Sequence, residues 1–285
     1  MKNMNGFLPL TLEEALLILK HSDKNGRRVR IVAGGTDVMA RGNGNQSFFL
    51  DSVLDISALK EIQEIKTCED KIKIGAGCTH AQIAKSILLK NHASILTKAS
   101  SVIGSPQIRH RGTIGGNICN ASPVGDILPS LYVLNAVLTL ASASQKREVP
   151  IKEFIKGPGR TIIQPDELLT EITVDMLGEN EFTDYRRSAT RKALAISKSS
   201  VAFRGIKKEG VLVGVKIALG SVGPVIISAH NCEKLIEGKK IDEEMLAQIP
   251  SAVQADCKPI DDLRSTKEYR AHVVGVFLAE ILRSC

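Results

Sequence analysis

Apolar residues at Leu12, Ala15, Leu16 and Leu19 recur at the i, i+3, i+4, i+7 spacing of one helix face. Thr11 followed by Glu14 gives that helix a capping box, and Asn25–Gly26 ends it. The pattern then shortens. Arg28 to Val32 and Val53 to Ile56 predict two strands, and Gly42 to Gln46 between them reads as a polar loop. Ile62 to Lys66 and Ile72 to Ile74 flank a Glu-Asp turn and predict a hairpin. Helices are expected from Thr79 to about Leu89 and from Ala93 to Val102. A long glycine-rich loop should run from Gly104 to Asp126, followed by a helix over Ile127 to Leu134. Val137 to Leu140, Arg147 to Val149 and Leu168 to Val174 read as strands.

The texture changes at the polar stretch Leu177 to Thr183, which is taken as a domain boundary. Beyond it Ile196 to Ile206, Val211 to Leu219 and Val225 to Ser228 read as strands, with turns at Glu209–Gly210 and Gly223–Pro224. Helices close the chain at Asp242 to Ile249 and Ser265 to Arg283. On the last one Tyr269, Val273, Val276, Phe277 and Ile281 are expected to form the core stripe. No internal repeat is visible.

Composition narrows the function classes. The chain has 285 residues, 43% of them hydrophobic, enough for a packed core of one large or two ordinary domains. No apolar run reaches the roughly 18 residues of a membrane span, and Met1 to Pro9 lacks the form of a secretory signal. A cytoplasmic location is expected. The formal charge of +7 comes from 38 basic against 31 acidic residues, in short scattered runs with few aromatics and no Trp. Nucleic-acid binding would need clustered cations with interleaved aromatics, so none is expected. The six cysteines, at 68, 78, 119, 232, 257 and 285, include no pair two to four residues apart. Structural zinc and iron–sulfur sites usually begin from such a pair, so no metal site is expected here. Gly220-Ser221-Val222-Gly223 is not a nucleophile elbow, because Leu219 stands where that motif has glycine.

Chemistry concentrates in two glycine motifs. Val32-Ala33-Gly34-Gly35-Thr36-Asp37-Val38 follows a strand, and paired glycines let the backbone turn tightly against a ligand. Successive N–H groups in such a turn form a nest for phosphate oxygens. It is neither a G-x-G-x-x-G fingerprint nor a P-loop. The second motif, Thr113-Ile114-Gly115-Gly116-Asn117, opens a run of small polar residues ending at Asp126. Two such nests can cradle one diphosphate from two sides.

AGGTD at Ala33 to Asp37, together with TIGGN and NASPVGD between Thr113 and Asp126, resembles the FAD-binding subunits of the molybdenum hydroxylases. Gly104-Ser105-Pro106-Gln107-Ile108-Arg109 and Gly157-Pro158-Gly159 fit the same pattern, and the resemblance spans essentially the whole chain. It implies an α+β protein: a two-lobed FAD-binding domain of the vanillyl-alcohol-oxidase type over 1–177 (lobes about 1–58 and 59–177). A small C-terminal domain of antiparallel sheet and helices, of the carbon monoxide dehydrogenase flavoprotein type, follows over 178–285. It implies non-covalent FAD held by Val32 to Val38 and Thr113 to Asn117, with Asp126, Leu168 or Leu169, Tyr185 or Arg186, and Ile103 also at the cofactor.

The resemblance further implies a large molybdenum-cofactor subunit and a small subunit carrying 2Fe–2S clusters as partners. Electrons would pass through FAD to NAD or another acceptor, and no acid–base pair or nucleophile is expected in this chain. The enzyme so implied is a xanthine dehydrogenase; the alternatives are a nicotinate, other N-heterocycle or carbon monoxide dehydrogenase. A stand-alone flavin reductase of the same fold and a scaffold subunit without FAD are the rival classes. Leu194-Ala195 stands where many relatives carry an acid, so no carboxylate is expected there. Among the few aromatics, Tyr185 is the expected flavin-stacking residue.

Overall fold

The computed structural model describes residues 5–42, 52–191 and 196–285. Among the described residues the chain lays down three main sheets in succession, with a two-stranded ribbon beside the second. The first is a small parallel sheet of β1 (Asn5–Phe7), β2 (Val29–Val32) and β3 (Ser52–Asp55) in the order β1-β3-β2. Its crossover helix α1 (Leu12–Lys24) is capped by the Thr11 hydroxyl, which accepts from the N–H of Glu14. The Glu14 carboxylate accepts from Leu10 N–H rather than from the cap residue, so only half of the expected capping box forms. Ala15, Leu16 and Leu19 are buried, as their spacing requires. Of the expected loop Gly42 to Gln46, Gly42 ends a short helix α2 (Thr36–Gly42) and the remainder lies outside the described residues.

The second sheet is antiparallel, in the order β4-β5-β10-β6-β7. Its strands are β4 (Ile65–Cys68), β5 (Lys71–Gly75), β6 (Val137–Ala141), β7 (Lys146–Pro150) and β10 (Leu168–Asp175), with the small ribbon β8 (Ile155–Gly157) and β9 (Arg160–Thr161) between the last two in sequence. β10, the central strand, carries a bulge between Leu169 and Glu171, which increases the local twist near its start. Leu168 packs into the core of the first lobe and its neighbour Leu169 into that of the second, so the alternation of one strand ties both lobes together. Arg147 fixes the approach to this pair. Its guanidinium holds the Glu167 carboxylate at 2.6 and 2.8 Å and keeps that acid's pKa low.

Two expectations for this region change. The helix begun at Thr79 stops at Lys85, because the Ser86 hydroxyl accepts from Leu89 N–H and starts another; α3 is His80–Lys85 and α4 Ile87–His92. After α5 (Ser94–Ser101), the presumed loop 104–126 contains α6 (Pro106–Arg111) and α7 (Ile114–Asn120). Ser105 and Thr113 cap them, and Pro106 sits at a first-turn position. The glycines masked these start signals. Helices α8 (Leu128–Val133) and α9 (Ile151–Phe154) complete the lobe.

The third unit is an antiparallel sheet of β11 (Glu181–Ala189), β12 (Ser197–Lys208), β13 (Val211–Gly220) and β14 (Ile227–Ser228), covered by α10 (His230–Ile236), α11 (Glu243–Asp256) and α12 (Lys267–Arg283). α10 carried no clear sequence signal, and α11 runs past the expected end at Ile249, through Pro250, to Asp256. The stripe expected on α12 is rotated. Tyr269 and Val276 are exposed, while Arg270, Val274, Leu278, Ile281 and Leu282 are buried. Arg270 enters the interior because the carbonyls of Lys198 and Ser221 and the carboxylate of Asp262 accept its guanidinium hydrogens. Among the described residues no helix is long and apolar enough to cross a membrane.

A buried polar knot joins the second lobe to the third unit. Asp126 accepts from the Tyr185 hydroxyl at 2.8 Å, from Arg187 at 2.6 Å and from Ser197. Burial pushes the Asp126 pKa up against the pull of Arg187. Around it, Tyr185, Ala202, Ala218 and Ile226 of the third unit enter the hydrophobic core of the second lobe. Removing the cation alone leaves a buried acid without its partner. Arg187→Met should therefore cost about 3–5 kcal/mol in urea unfolding, and adding Asp126→Asn should restore part of it.

Candidate functional site

Where the first two sheets meet, a cavity of about 540 Å³ opens between the two glycine motifs, within the ~300–1,000 Å³ usual for ligand sites. β2 delivers the first motif to its rim and α7 carries the second. Each motif is packed tightly against main chain, the first against the residues that lead into the second. A Cβ on Gly34 would lie 1.7 Å from the carbonyl oxygen of Arg111, and one on Gly115 would lie 2.7 Å from Ala76. Only glycine permits either approach. Gly35 adopts φ +73°, the left-handed conformation that turns the chain into α2. Asn120 on α7 donates to Asp37 on α2 at 3.2 Å, joining the lobes across the cleft.

The two turns differ in what they offer. No acceptor among the described residues takes the N–H of Gly34 or Gly35. In the second turn Ile114 N–H donates to Cys78 O at 2.9 Å, Gly115 N–H to Ala76 O at 2.8 Å and Gly116 N–H to the Thr113 hydroxyl at 3.1 Å. The expected pair of equivalent nests is therefore one open turn and one internally bonded turn. The second turn contributes close backbone approach and the Asn117 side chain, whose Oδ1 is buried and unpartnered.

Of the residues expected at the site, Ala33, Gly34, Gly35, Thr36, Asp37, Val38, Ile103, Thr113, Gly115, Gly116, Asn117, Leu168 and Leu169 line the cavity. Val32 lies in β2 just before the turn, and Ile114 is fully buried at the start of α7; neither is in the lining. Asp126 and Tyr185 stand outside the lining, in the interdomain knot, because each satisfies the other's buried polar group. Burial raises the Tyr185 pKa well above its usual value. Arg186 turns away from the cavity to Asp184 and Glu280. Leu194 and Ala195 lie outside the described residues.

Several lining residues were not anticipated: Arg30, Ala76, His80, Cys119, Asn120, Gly159 and Ile163. Gly159 arrives because its N–H donates to Ala121 O at 3.0 Å, a role prefigured only by the Gly-Pro-Gly motif. Burial pushes the Cys119 thiol up to about 12, so it is protonated and no nucleophile. His80 is 2% exposed, and burial together with nearby Arg109 lowers its pKa to about 4. Among the described residues no three His, Cys, Asp or Glu side chains group as a metal site.

A cleft between a small parallel sheet and an antiparallel one, with a glycine turn on each side, is the architecture of a two-lobed flavin-binding protein. Residues 2–175 match the FAD-binding domain in molybdopterin dehydrogenase, and 184–285 match the carbon monoxide dehydrogenase flavoprotein C-terminal domain. The chain belongs to the FAD-binding medium subunits of the molybdenum hydroxylase family.

It is 33% identical to the glyceraldehyde dehydrogenase medium chain of Sulfolobus acidocaldarius, over 93% of this chain and 92% of that one. It is 34% identical to the nicotinate dehydrogenase FAD-subunit of Eubacterium barkeri, over 88% and 85%. The xanthine dehydrogenase FAD-binding subunit of Escherichia coli O157:H7 shares 27% over 95% and 92%. In fold it matches a chain of carbon monoxide dehydrogenase from Hydrogenophaga pseudoflava, solved without the Mo-pyranopterin moiety. The TM-score is 0.92 at 23% identity, covering 99% of this chain and 96% of that one. The α+β architecture implied by the sequence, an FAD-binding domain followed by a smaller C-terminal domain, is therefore the observed one.

The buried neutral His80 sets an acid limit on the empty fold. Between pH 6.5 and about 4 the unfolded chain binds a proton there that the folded chain refuses, so stability falls on acidification. The slope is up to about 1.4 kcal/mol per pH unit. Unfolding free energies of FAD-free protein at pH 7 and pH 5 should differ less for His80→Leu than for wild type.

Proposed function

We propose that this chain binds one FAD non-covalently in the cleft between its glycine turns and relays electrons within a molybdenum-dependent dehydrogenase. The observation that carries the reading is the contact of Gly34 with the Arg111 carbonyl, which brings the two motifs to one cavity. The residues present fit the group. The open N–H groups of Gly34 and Gly35 with Thr36, Asp37 and Val38 suit a diphosphate. Thr113, Gly115, Gly116 and Asn117 face it from the other side, and Ile103, Leu168 and Leu169 offer apolar surface to a ring system. Val32 and Ile114 support the turns from outside the lining. Asp126 and Tyr185 act through the interdomain knot, and Arg186 through the surface of the third unit.

Bound FAD supplies the exchange between one-electron and two-electron carriers. The chain's own residues bind it, orient it and cover one side of it. The proposed partners are a small subunit bearing 2Fe–2S clusters and a large subunit bearing the molybdenum cofactor. NAD is the proposed final acceptor. Six free cysteines support assembly in the reducing cytoplasm.

For the substrate of the large subunit we propose a purine such as xanthine or a related N-heterocycle, supported by similarity to the xanthine and nicotinate relatives. Similarity to the glyceraldehyde dehydrogenase medium chain favours an aldehyde as the second reading.

Gly35→Val and Gly116→Val should each abolish visible flavin absorbance after the purified chain is incubated with FAD. At Gly35 valine cannot adopt φ +73° without strain, and at Gly116 its Cβ would stand 3.0 Å from the Thr113 hydroxyl. An unchanged flavin band in both would sink the cofactor assignment.

The native protein should co-purify with a large and a small subunit. Xanthine, nicotinate and glyceraldehyde offered to that complex with NAD will separate the substrate readings. A lone chain that oxidises any of them unaided would refute the relay.

A further inference from the structure

His80 is the one buried histidine among the described residues, and no structural role accounts for its imidazole. Its backbone is well placed. The residue opens α3 after the Thr79–Gln82 capping box, and its N–H donates to Gly112 O at 3.0 Å. The side chain lines the cleft, yet Nδ1 is buried without a partner. Buried polar atoms in folded proteins are nearly always bonded, so an orphan in a ligand cleft points to a missing partner.

The surroundings indicate which partner. A Cβ built on Gly112 would meet His80 Cδ2 at 3.6 Å and the Thr36 hydroxyl at 3.3 Å. The ring edge therefore stands beside Gly112, at a spot it shares with the Thr36 hydroxyl of the first turn and the Ile108 carbonyl. A half-turn of the ring about Cβ–Cγ exchanges Cδ2 for Nδ1 and brings the nitrogen toward that spot. Asn117, on the other turn, also lines the cleft, and its Oδ1 is a second buried atom without a partner, set against Gly125. The imidazole is kept neutral, so one ring nitrogen carries a hydrogen to donate.

We propose that His80 is a cofactor-positioning residue, donating an imidazole N–H to a phosphate oxygen of the dinucleotide held between the two glycine turns. This rests on the FAD reading above and adds to it a contact from the floor of the cleft, between the two motifs. His80 performs no redox step. It fixes the diphosphate in register, so that the position of the flavin along the cleft is set from beneath as well as from the turns.

The test titrates FAD into the FAD-free chain by quenching of flavin fluorescence, with thermal melting of the same samples and the ³¹P spectrum of bound FAD. His80→Leu should weaken FAD binding roughly tenfold to a hundredfold, the range of one hydrogen bond to a charged group. Its FAD-free melting temperature should match or exceed that of wild type, because a buried orphan nitrogen is removed. The rise in melting temperature on adding FAD should shrink, and a bound phosphorus resonance should shift. His80→Asn, which keeps a nitrogen donor near the Nδ1 position, should stay within a few-fold of wild-type affinity.

If His80→Leu does not fold, His80→Met carries the same expectations. Wild-type affinity in the apolar variant overturns the proposal, as does a fall in the FAD-free melting temperature as large as that of the FAD-loaded form. A wild-type chain that takes up no FAD overturns the cofactor reading itself, and this inference with it.

Discussion

The site depends on a contact made by an absent side chain. Gly34 rests on the carbonyl of Arg111 at a distance no Cβ could occupy, and this brings two segments far apart in sequence to one cleft. Gly115 repeats the device against Ala76. Hydrogen bonds then fix what the glycines allow: Ile114 and Gly115 donate to the chain leaving β5, and Asn120 reaches across to Asp37. The cavity is thus ordered before any ligand arrives. Its conformational cost is met during folding, which leaves more of the interaction free energy for binding.

A second constraint acts behind the cleft. Asp126 lies a few residues beyond α7, yet it bonds Tyr185, Arg187 and Ser197 of the third unit. Four polar groups satisfy one another in a largely buried setting, so the C-terminal unit is held in one orientation against the second lobe. Leu168 and Leu169 do the corresponding work between the lobes with apolar surface, one side chain into each core. The cleft therefore sits between the first two cores, and few, largely buried groups fix the third unit behind it.

Local signals were legible in the sequence; non-local ones were not. Thr11 and Thr79 announced their helices, because a cap acts within one turn. The long strands β12 and β13 were readable from their apolar residues and from the Glu209–Gly210 turn between them. Ser86 broke a helix through its own hydroxyl, and Ser105 and Thr113 began helices inside a stretch that glycine made look irregular. The two glycine motifs were readable as a pair, but not the internal bonding that closes the second to a ligand's acceptors. That Tyr185 and Asp126 would bond each other was not legible, because one stands in the second lobe and the other in the third unit. His80 carried no signal, since its meaning lies in a neighbour it lacks. The stripe on α12 is rotated because Arg270 finds two carbonyls and a carboxylate inside, partners that no local pattern announces.

The nature of the obstacle at Gly34 decides how the chain can evolve. At Gly223 an added Cβ would meet Ile227 Cδ1 at 2.6 Å, the far end of a flexible side chain, and a smaller residue at 227 makes room. At Gly34 the obstacle is a main-chain oxygen, present whatever residue occupies position 111. No exchange of one side chain for another can relieve it. A genetic screen would recover second-site suppressors for a substitution at Gly223, while at Gly34 reversion to glycine is the only single-residue route back.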